Sequence, residues 1–510
     1  MSSPGAGKYK NGGCGDTMKA QPKKTIMFIV DSFNPTALKR AFDRKMVPAM
    51  DFLKRRGYFT ERCVSVFPTM TPTCASTIAT GTPPSDHQVP GFVWFSRNEK
   101  RIVNYGISPL AVWKMGVKRV IQELLFNLNH MQLSKKVKTL YESMEEAGFT
   151  TGAVNPFIFR AGRPHRARIP LIVQMFSTFG LKGKLMGPGN LFLGQFCPPD
   201  SPQWSSLLAL RHYFKKFGVN DEYSGTVGRW LIKRGRQPDL LTIYLPDTDG
   251  FAHRHDPNRS EESLQGVDRQ VSKILEAFPS WEEAIKRNTI IVVGDHSQSR
   301  VGTEKSNIIS LSEELKDFTQ VDIGREGCPR SQIAVCLNER MGHIYILKEK
   351  ERFLPGIAQR LVRVNGVDQV VWKEGDWYHV LQAGGGNLTF RPGRDLWDEY
   401  GQGWSLMGDP GAVDARTDGH RICFGDYPDA LAQFSNALNC ENAGDLLVTA
   451  RPGYEFSGEC DPVHPGCGSH GSLHREDSLV PLFVAGDTFG VSKPRIMDLA
   501  PFIRSRYGLA

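Results

Sequence analysis

The chain has no long hydrophobic run. Its cleanest apolar stretch is Ile26-Met27-Phe28-Ile29-Val30, far short of the ~20 residues that a membrane-spanning helix needs. No membrane partner is expected. The first 24 residues are rich in Gly, Ser and Lys and lack the apolar core of a signal peptide. They read as a flexible tail, residues 1–24, with Met18 an alternative start and the cytoplasm the default location. Cysteine is scarce and irregularly spaced, 10 in 510 residues, which excludes a disulfide framework. Charge of one sign is not concentrated either. Lys+Arg number 63 and Asp+Glu 54, a net charge of +9, but the cations are dispersed. Only Lys135, Lys136 and Lys138, and then Arg160, Arg163, Arg166 and Arg168, come close together. A nucleic-acid reader would cluster them, so no specific nucleic-acid partner is expected. These groups read as solvated surface or as an attraction for a small anionic substrate.

What is present is the balance of a folded protein. Apolar residues make up 40% and charged ones 23% of the chain, which excludes whole-chain disorder. At ~150 residues per domain the length allows about three units. Short apolar runs at 25–30, 151–154, 241–245, 289–293 and 479–484 read as buried strands. Between them lie helical patterns. One runs from Leu38 to a stop at Gly57. Another places Leu264, Val267, Val271, Ile274, Leu275 and Phe278 at the 3.6-residue spacing. Alternating strands and helices imply a doubly wound, mainly parallel α/β sheet covered on both faces. Residues 301–459 differ: strand-like 343–347, a helix near 353–364, then strands 367–373 and 377–381 suggest a small β-α-β-β unit. Gly384-Gly385-Gly386 and the Gly/Asp-rich stretch 401–419 read as loops, as does 181–194 within a second excursion at 155–235.

Three of the expected strands run into acidic or histidine clusters: Asp31 after the first, Asp249-x-x-x-His253 after the run at 241–245, and Asp295-His296 after 289–293. In open α/β sheets ligands bind beyond the carboxyl ends of the strands, so the three clusters should converge. One such Asp is ordinarily a cap or turn former. Together the three supply mixed carboxylate and imidazole donors suited to Zn²⁺ or Mn²⁺. A hydroxyl-rich turn, Phe67 to Gly81, leads into a short helix closed by Gly81. Metal coordination would activate one of its hydroxyls as a nucleophile. Five Thr and one Ser in that segment leave the choice open, and plain capping and turn chemistry fits them as well.

The order Asp31, Thr-rich turn, Asp249-x-x-x-His253, Asp295-His296 and a late Gly-Ser-His470-Gly resembles the alkaline phosphatase superfamily, in particular its type I phosphodiesterase/nucleotide pyrophosphatase branch. The likeness runs from about residue 25 to 491 in five short blocks and is essentially absent between 301 and 459. It implies an alkaline-phosphatase-like fold with two divalent metal ions. Asp249, His253 and His470 would hold one; Asp31, Asp295, His296 and Thr71 would hold the other. The branch places its nucleophilic Thr ten residues before the Gly of a Thr-Gly pair, here Thr71. Two ions ~4 Å apart stabilise the attacking and leaving oxygens of an in-line displacement at phosphorus, through a phospho-threonine intermediate.

The sequence also departs from the branch. Its Asn about 21 residues after the nucleophile is replaced by Phe92, and Cys74 stands where Asn is usual. Cys74, Phe92 and Trp94 are candidate substrate-pocket residues, and ordinary core packing is the alternative for the aromatic run. His470 has a rival use: Cys460, His464, Cys467 and His470 could make a compact zinc site. A local Cys460–Cys467 disulfide is another alternative, which a reducing compartment disfavours. His464 and His474 could instead orient ligands. The expected organisation is a discontinuous α/β core, residues 25–300 and 460–510, with an inserted α+β cap at 301–459. The expected function is metal-dependent hydrolysis of an anionic small-molecule phosphate ester, a phosphodiester or nucleotide pyrophosphate. Phosphomonoester, phosphonate or sulfate ester hydrolysis is the alternative within the superfamily. A silent metal- or anion-binding protein is the alternative outside it, and the complete ligand set argues against that one.

Overall fold

The computed structural model describes residues 22–170, 184–199, 215–325 and 330–509. The expected tail up to residue 21 and residues 181–183 of the expected loop 181–194 lie outside them; the rest of that stretch is not all loop, contrary to expectation, since Leu185–Gly187 and Asn190–Phe192 are strands. A seven-stranded sheet forms the centre. Its strands are β1 (Lys24–Val30), β2 (Gly57–Val64), β3 (Thr151–Val154), β4 (Asn190–Phe192), β5 (Leu240–Leu245), β6 (Asn288–Gly294) and β7 (Leu479–Ala485). Across the sheet they lie in the order β2-β7-β6-β1-β5-β3-β4. Only β7 runs against its neighbours. All five expected strands are present, with ends within a residue of the expectation.

β1 is sandwiched because both of its faces are apolar. Ile26, Phe28 and Val30 join a core with Leu264, Val267 and Val271 on one side. Met27 and Ile29 join a second core with Ile78, Leu140 and Ile503 on the other. The period-2 alternation of a strand thus feeds two helical layers. The parallel register sets Val30 beside both Leu245 and Gly294, so three strands end within one residue of one another.

The helix expected to run through to Gly57 is two helices, α1 (Pro35–Asp43) and α2 (Pro48–Arg56). Lys45 takes a positive φ of 57° between them. Pro48 then restarts the helix at the position where its missing N–H costs nothing. Gly57 is no helical stop. It is extended and opens β2, where a Cβ would lie 2.2 Å from the Val484 carbonyl oxygen. α3 (Thr71–Thr80) follows the hydroxyl-rich turn and ends at Gly81 in the left-handed conformation, as the sequence implied.

Residues 333–450 build a second, nine-stranded sheet. The expected β-α-β-β unit is there as Met341–Ile346, Lys350–Leu361, Val367–Glu374 and Trp377–Gln382. The stretch 401–419 is not all loop, contrary to expectation: Gly403–Gly408 and Ala415–Asp418 are strands. Its glycines hide one anchor. Trp404 is buried, and its indole donates to Asp398 at 2.7 Å. Short ladders pair the connections that leave the first sheet with those that return to it: Ser299–Arg300 with Gly468–Ser469, and Ile308–Ile309 with Glu455–Phe456.

The packing makes Gly57 a sharp test of the β2–β7 contact. Gly57→Ala is expected to lower the unfolding free energy by ~1–3 kcal/mol through overpacking, seen as a lower urea midpoint. An unchanged midpoint would contradict the close approach.

Candidate active site

The sheet register assembles the site. Asp31 and Asp295 follow directly on β1 and β6. The strand tips are tied by Asp31 N–H to the Leu245 carbonyl (3.0 Å) and Phe33 N–H to the His296 carbonyl (2.8 Å). Ser32 turns through a φ of 60°. This aims its N–H at Asp295 Oδ1 (3.2 Å) and its hydroxyl at Asp249 Oδ1 (2.8 Å). Asp249 and His253 come from the short helix Asp247–Ala252 and the residue that caps it. Gln298 donates to Asp249 Oδ1 at 2.7 Å. The Tyr244 hydroxyl donates to Asp31 Oδ2.

His470 arrives from far along the chain. The Ser299–Arg300 ladder with Gly468–Ser469 carries it back beside His296, and the two rings stack with centroids 3.9 Å apart. Gly471 lets this segment cross the hairpin tip of the second sheet: its φ is +119°, and a Cβ there would lie 2.3 Å from the Asn338 carbonyl oxygen. The three histidines share one orientation logic. Nδ1 of His253 meets the Gly468 carbonyl (3.0 Å), that of His296 the Ser297 carbonyl (3.1 Å) and that of His470 the Thr69 carbonyl (2.6 Å). A carbonyl only accepts, so in the neutral rings Nδ1 carries the proton and Nε2 is the free donor atom.

Thr71 opens α3 with its hydroxyl 3.3 Å from His296 Nε2. His296 Nε2 is also 3.4 Å from Asp31 Oδ1 and 3.7 Å from Asp295 Oδ2. Asp249 Oδ1 lies 3.1 Å from His253 Nε2 and 3.8 Å from His470 Nε2. Three sets of donor atoms are close enough to hold a cation: Asp31, Asp295 and His296; Asp249, His296 and His470; and His253, Glu339 and His464.

The electrostatics favour a positive charge beside Asp31 and Asp295. Burial, then the neighbouring charges of Asp295 and Asp249, push the Asp31 carboxyl far above its ordinary range. Burial raises Asp295 to about 8, and the Asp249 charge adds to the effect. Burial, with His470 beside it, lowers His296 to about 3. Asp31 Oδ1 and Asp295 Oδ2 are buried with no hydrogen-bond partner. Orphaned carboxylate oxygens are costly in a protein interior. Aimed with an imidazole at one point, they fit a divalent ion of the Zn²⁺ or Mn²⁺ kind.

Asp31, Thr71, Asp249, His253, Asp295, His296 and His470 are therefore brought together. Cys74 lies beneath them, wholly buried, with Sγ 3.4 Å from the Ser65 hydroxyl, which donates to the Asp295 carbonyl. Trp94 packs in a separate core and donates its indole N–H to Tyr105 at 3.2 Å. Phe92 stands against Phe157, which in turn contacts Tyr244. Its backbone N–H is held by Asn338 Oδ1 at 2.7 Å. No set of metal-competent donors among the described residues includes a cysteine, and Cys460 and Cys467 are free thiols, so the alternative zinc and disulfide arrangements are not assembled. His464 binds Glu455 through Nδ1 at 3.0 Å, whereas His474 caps the helix Arg475–Ser478 away from the cluster. Arg160 is spent structurally on Glu142 and three backbone carbonyls. Sequence reasoning missed Ser32, Tyr244, Gln298 and Glu339. The first three stand next to or near motif residues in the chain. Glu339 had one faint signal, a Glu-Arg pair interrupting an apolar hairpin.

The fold and this cluster define an ester-hydrolysing enzyme of alkaline-phosphatase-like architecture. The chain belongs to the type I phosphodiesterase / nucleotide pyrophosphatase family, whose model matches residues 25–473. Among solved structures it is similar to phosphonoacetate hydrolase from Sinorhizobium meliloti in complex with phosphonoacetate, at a TM-score of 0.56 and 15% identity over 96% of both chains. It is similar also to human ectonucleotide pyrophosphatase / phosphodiesterase 5, at 0.54 and 12%, with the same coverage of both chains. The murine counterpart in complex with AMP gives 0.52 and 12%, again over 96% of both chains. No curated protein matches the chain in sequence.

The tyrosine contact yields a prediction. Tyr244→Phe removes the hydrogen bond to Asp31 while keeping the ring, and should weaken divalent-metal affinity about 10–100-fold in a chelator competition. Unchanged affinity would mean that the hydroxyl has no part in the cluster.

Proposed function

We propose that the chain hydrolyses phosphodiesters or nucleotide pyrophosphates at a site for two divalent ions, zinc or alternatively manganese, with Thr71 as the nucleophile. The observation that carries this reading is the Thr71 hydroxyl, 3.3 Å from His296 Nε2, the same nitrogen that stands 3.4 Å from Asp31 Oδ1 and 3.7 Å from Asp295 Oδ2, two oxygens with no hydrogen-bond partner. When bound, the ions supply charge to offset a phosphoryl group and the means to favour the threonine alkoxide. Asp31, Asp295 and His296, with Thr71, would hold one of them; Asp249, His253 and His470 would hold the other.

The rest is work for the chain itself. Thr71 occupies the first turn of α3, so the N–H groups at that helix end favour a phosphoryl anion there. Attack forms the Oγ–P bond as the ester or anhydride P–O bond breaks, and the threonine hydroxyl proton is lost to water. The leaving alcohol or phosphate takes up a proton from water, and hydrolysis of phospho-threonine regenerates the enzyme. Thr69 is an inferior candidate because its hydroxyl is committed, donating to the Ser472 carbonyl and accepting from Gly471 N–H. Ser32 and Gln298 position Asp249, and Tyr244 positions Asp31. We further read residues 25–300 and 460–510 as the catalytic core and 301–459 as its cap. Eight free cysteines among the described residues fit a reducing, cytoplasmic setting.

Thr71→Ala is expected to lower turnover of an aryl phosphodiester by about 1,000-fold or more, while metal analysis still finds two ions per chain. Turnover at the normal rate would overturn Thr71 as nucleophile. Chelation should abolish activity, and added Zn²⁺ should restore it. Full turnover by metal-free protein would overturn the two-metal reading. A panel of aryl phosphate mono- and diesters, phosphonates and sulfates should show the diester turned over fastest.

A further inference from the structure

Glu339 lies at the tip of the hairpin that joins Ile333–Asn338 to Met341–Ile346 in the second sheet, outside every motif that pointed to the site. Its φ of 56° is left-handed, a conformation that a side-chain-bearing residue holds only where its surroundings impose it. The surroundings do so. The Glu339 carbonyl accepts from Phe456 N–H, and Arg340 N–H donates to the His470 carbonyl, each at 2.8 Å. The wholly buried Arg340 guanidinium pairs with Asp477 at 2.5 Å. The tip is thereby fixed against the core, and its carboxylate is buried.

The two carboxylate oxygens have different tasks. Oε2 accepts from the Ser469 hydroxyl at 3.0 Å and from His470 N–H at 3.1 Å. Oε1 stands 3.5 Å from His470 Nε2 and 3.6 Å from His253 Nε2. Asp249 Oδ1 approaches the same two nitrogens, at 3.8 and 3.1 Å. In its neutral form each imidazole keeps its proton on Nδ1, against a backbone carbonyl, and turns Nε2 towards the two carboxylates. Two carboxylate oxygens and two imidazole lone pairs therefore converge on one region, an arrangement that a cation resolves. Donors on a tetrahedral ion with bonds of ~2.0–2.1 Å sit roughly 3.3–3.4 Å apart, close to the separations seen here.

We propose that Glu339 is a fourth protein ligand of the ion held by Asp249, His253 and His470. Two carboxylates with two neutral imidazoles balance a divalent charge, and four protein donors make the closed shell of a tightly held ion. His464 supports the arrangement from behind: its ring stacks on His253 with centroids 4.2 Å apart, and its Nδ1 is anchored on Glu455. The proposal rests on the two-metal reading above.

The test is a Co²⁺ titration of apo full-length protein, followed by visible absorption and by metal analysis after dialysis. Wild type should bind two ions. Glu339→Gln keeps an acceptor for Ser469 but loses the anionic donor. It should bind one ion as wild type does and the other about 100-fold or more weakly, with a changed absorption band for the weakened ion. Glu339→Asp, which keeps the charge on a shorter arm, should fall between the two and serves if the Gln variant does not fold. Two ions of unchanged affinity and spectrum in either variant would overturn Glu339 as a ligand while leaving the two-metal reading intact. Wild type binding fewer than two ions would overturn both.

Discussion

Three carboxylates of like charge, Asp31, Asp249 and Asp295, are held together in a crevice that excludes most water, and much of the molecule is arranged around that repulsion. The in-step parallel register of β1, β5 and β6 imposes it, because Val30 lies beside both Leu245 and Gly294. A buried carboxylate is stable only when paired, protonated or bound to a cation. Ser32, Gln298 and Tyr244 each blunt one charge with a hydrogen bond. What they leave over, the bare oxygens of Asp31 and Asp295, is the part that a divalent ion fits.

The second sheet belongs to the same problem. Its hairpin tip carries Glu339 to the imidazoles of His253 and His470, and Arg340 fixes that tip through Asp477, just before β7. An ion pair with both side chains wholly buried is not obviously stabilising, since desolvation opposes the Coulombic gain. Its evident use is geometric: it locks one sheet to the other where the site needs a fixed distance. The ladders of Ser299–Arg300 and Ile308–Ile309 with the returning chain tie the connections between the two sheets to each other with backbone bonds. The second sheet is therefore a structural partner of the site as well as a cover.

Short-range signals read well wherever one physical rule decided the outcome. Buried parallel strands show as apolar runs, so β1, β3, β5, β6 and β7 were legible, and Gly81 ended α3 as its left-handed φ requires. β2 was missed because Thr60, Glu61 and Arg62 break its apolar pattern, where the pairing with β7 shifts register. Its defining glycine works by close approach to Val484, which no local pattern announces. The strand Gly403–Gly408 was hidden among glycines with only Trp404 as an anchor. Within the site, residues at strand ends were legible, while Tyr244 was not: inside an apolar run a tyrosine reads as core until its hydroxyl is seen to meet a carboxylate.

The sequence by itself determined the ligand chemistry and the place of each ligand relative to its own strand, because strand ends and turn clusters are local properties of the chain. Only the tertiary structure brought the candidate donors within reach of one another. Asp249 and His253 are neighbours in sequence, but His470 is carried back towards them by a ladder with residues 299–300, and Glu339 approaches both histidines from a different sheet. Those contacts depend on register and on the meeting of two separately built sheets, quantities that no stretch of sequence encodes alone. Tertiary packing likewise set Trp94 inside a separate core rich in aromatics and left Phe92 at the edge of that same core, against Phe157, which reaches Tyr244. A residue's type limits what it can do, and its neighbours in space select among those uses.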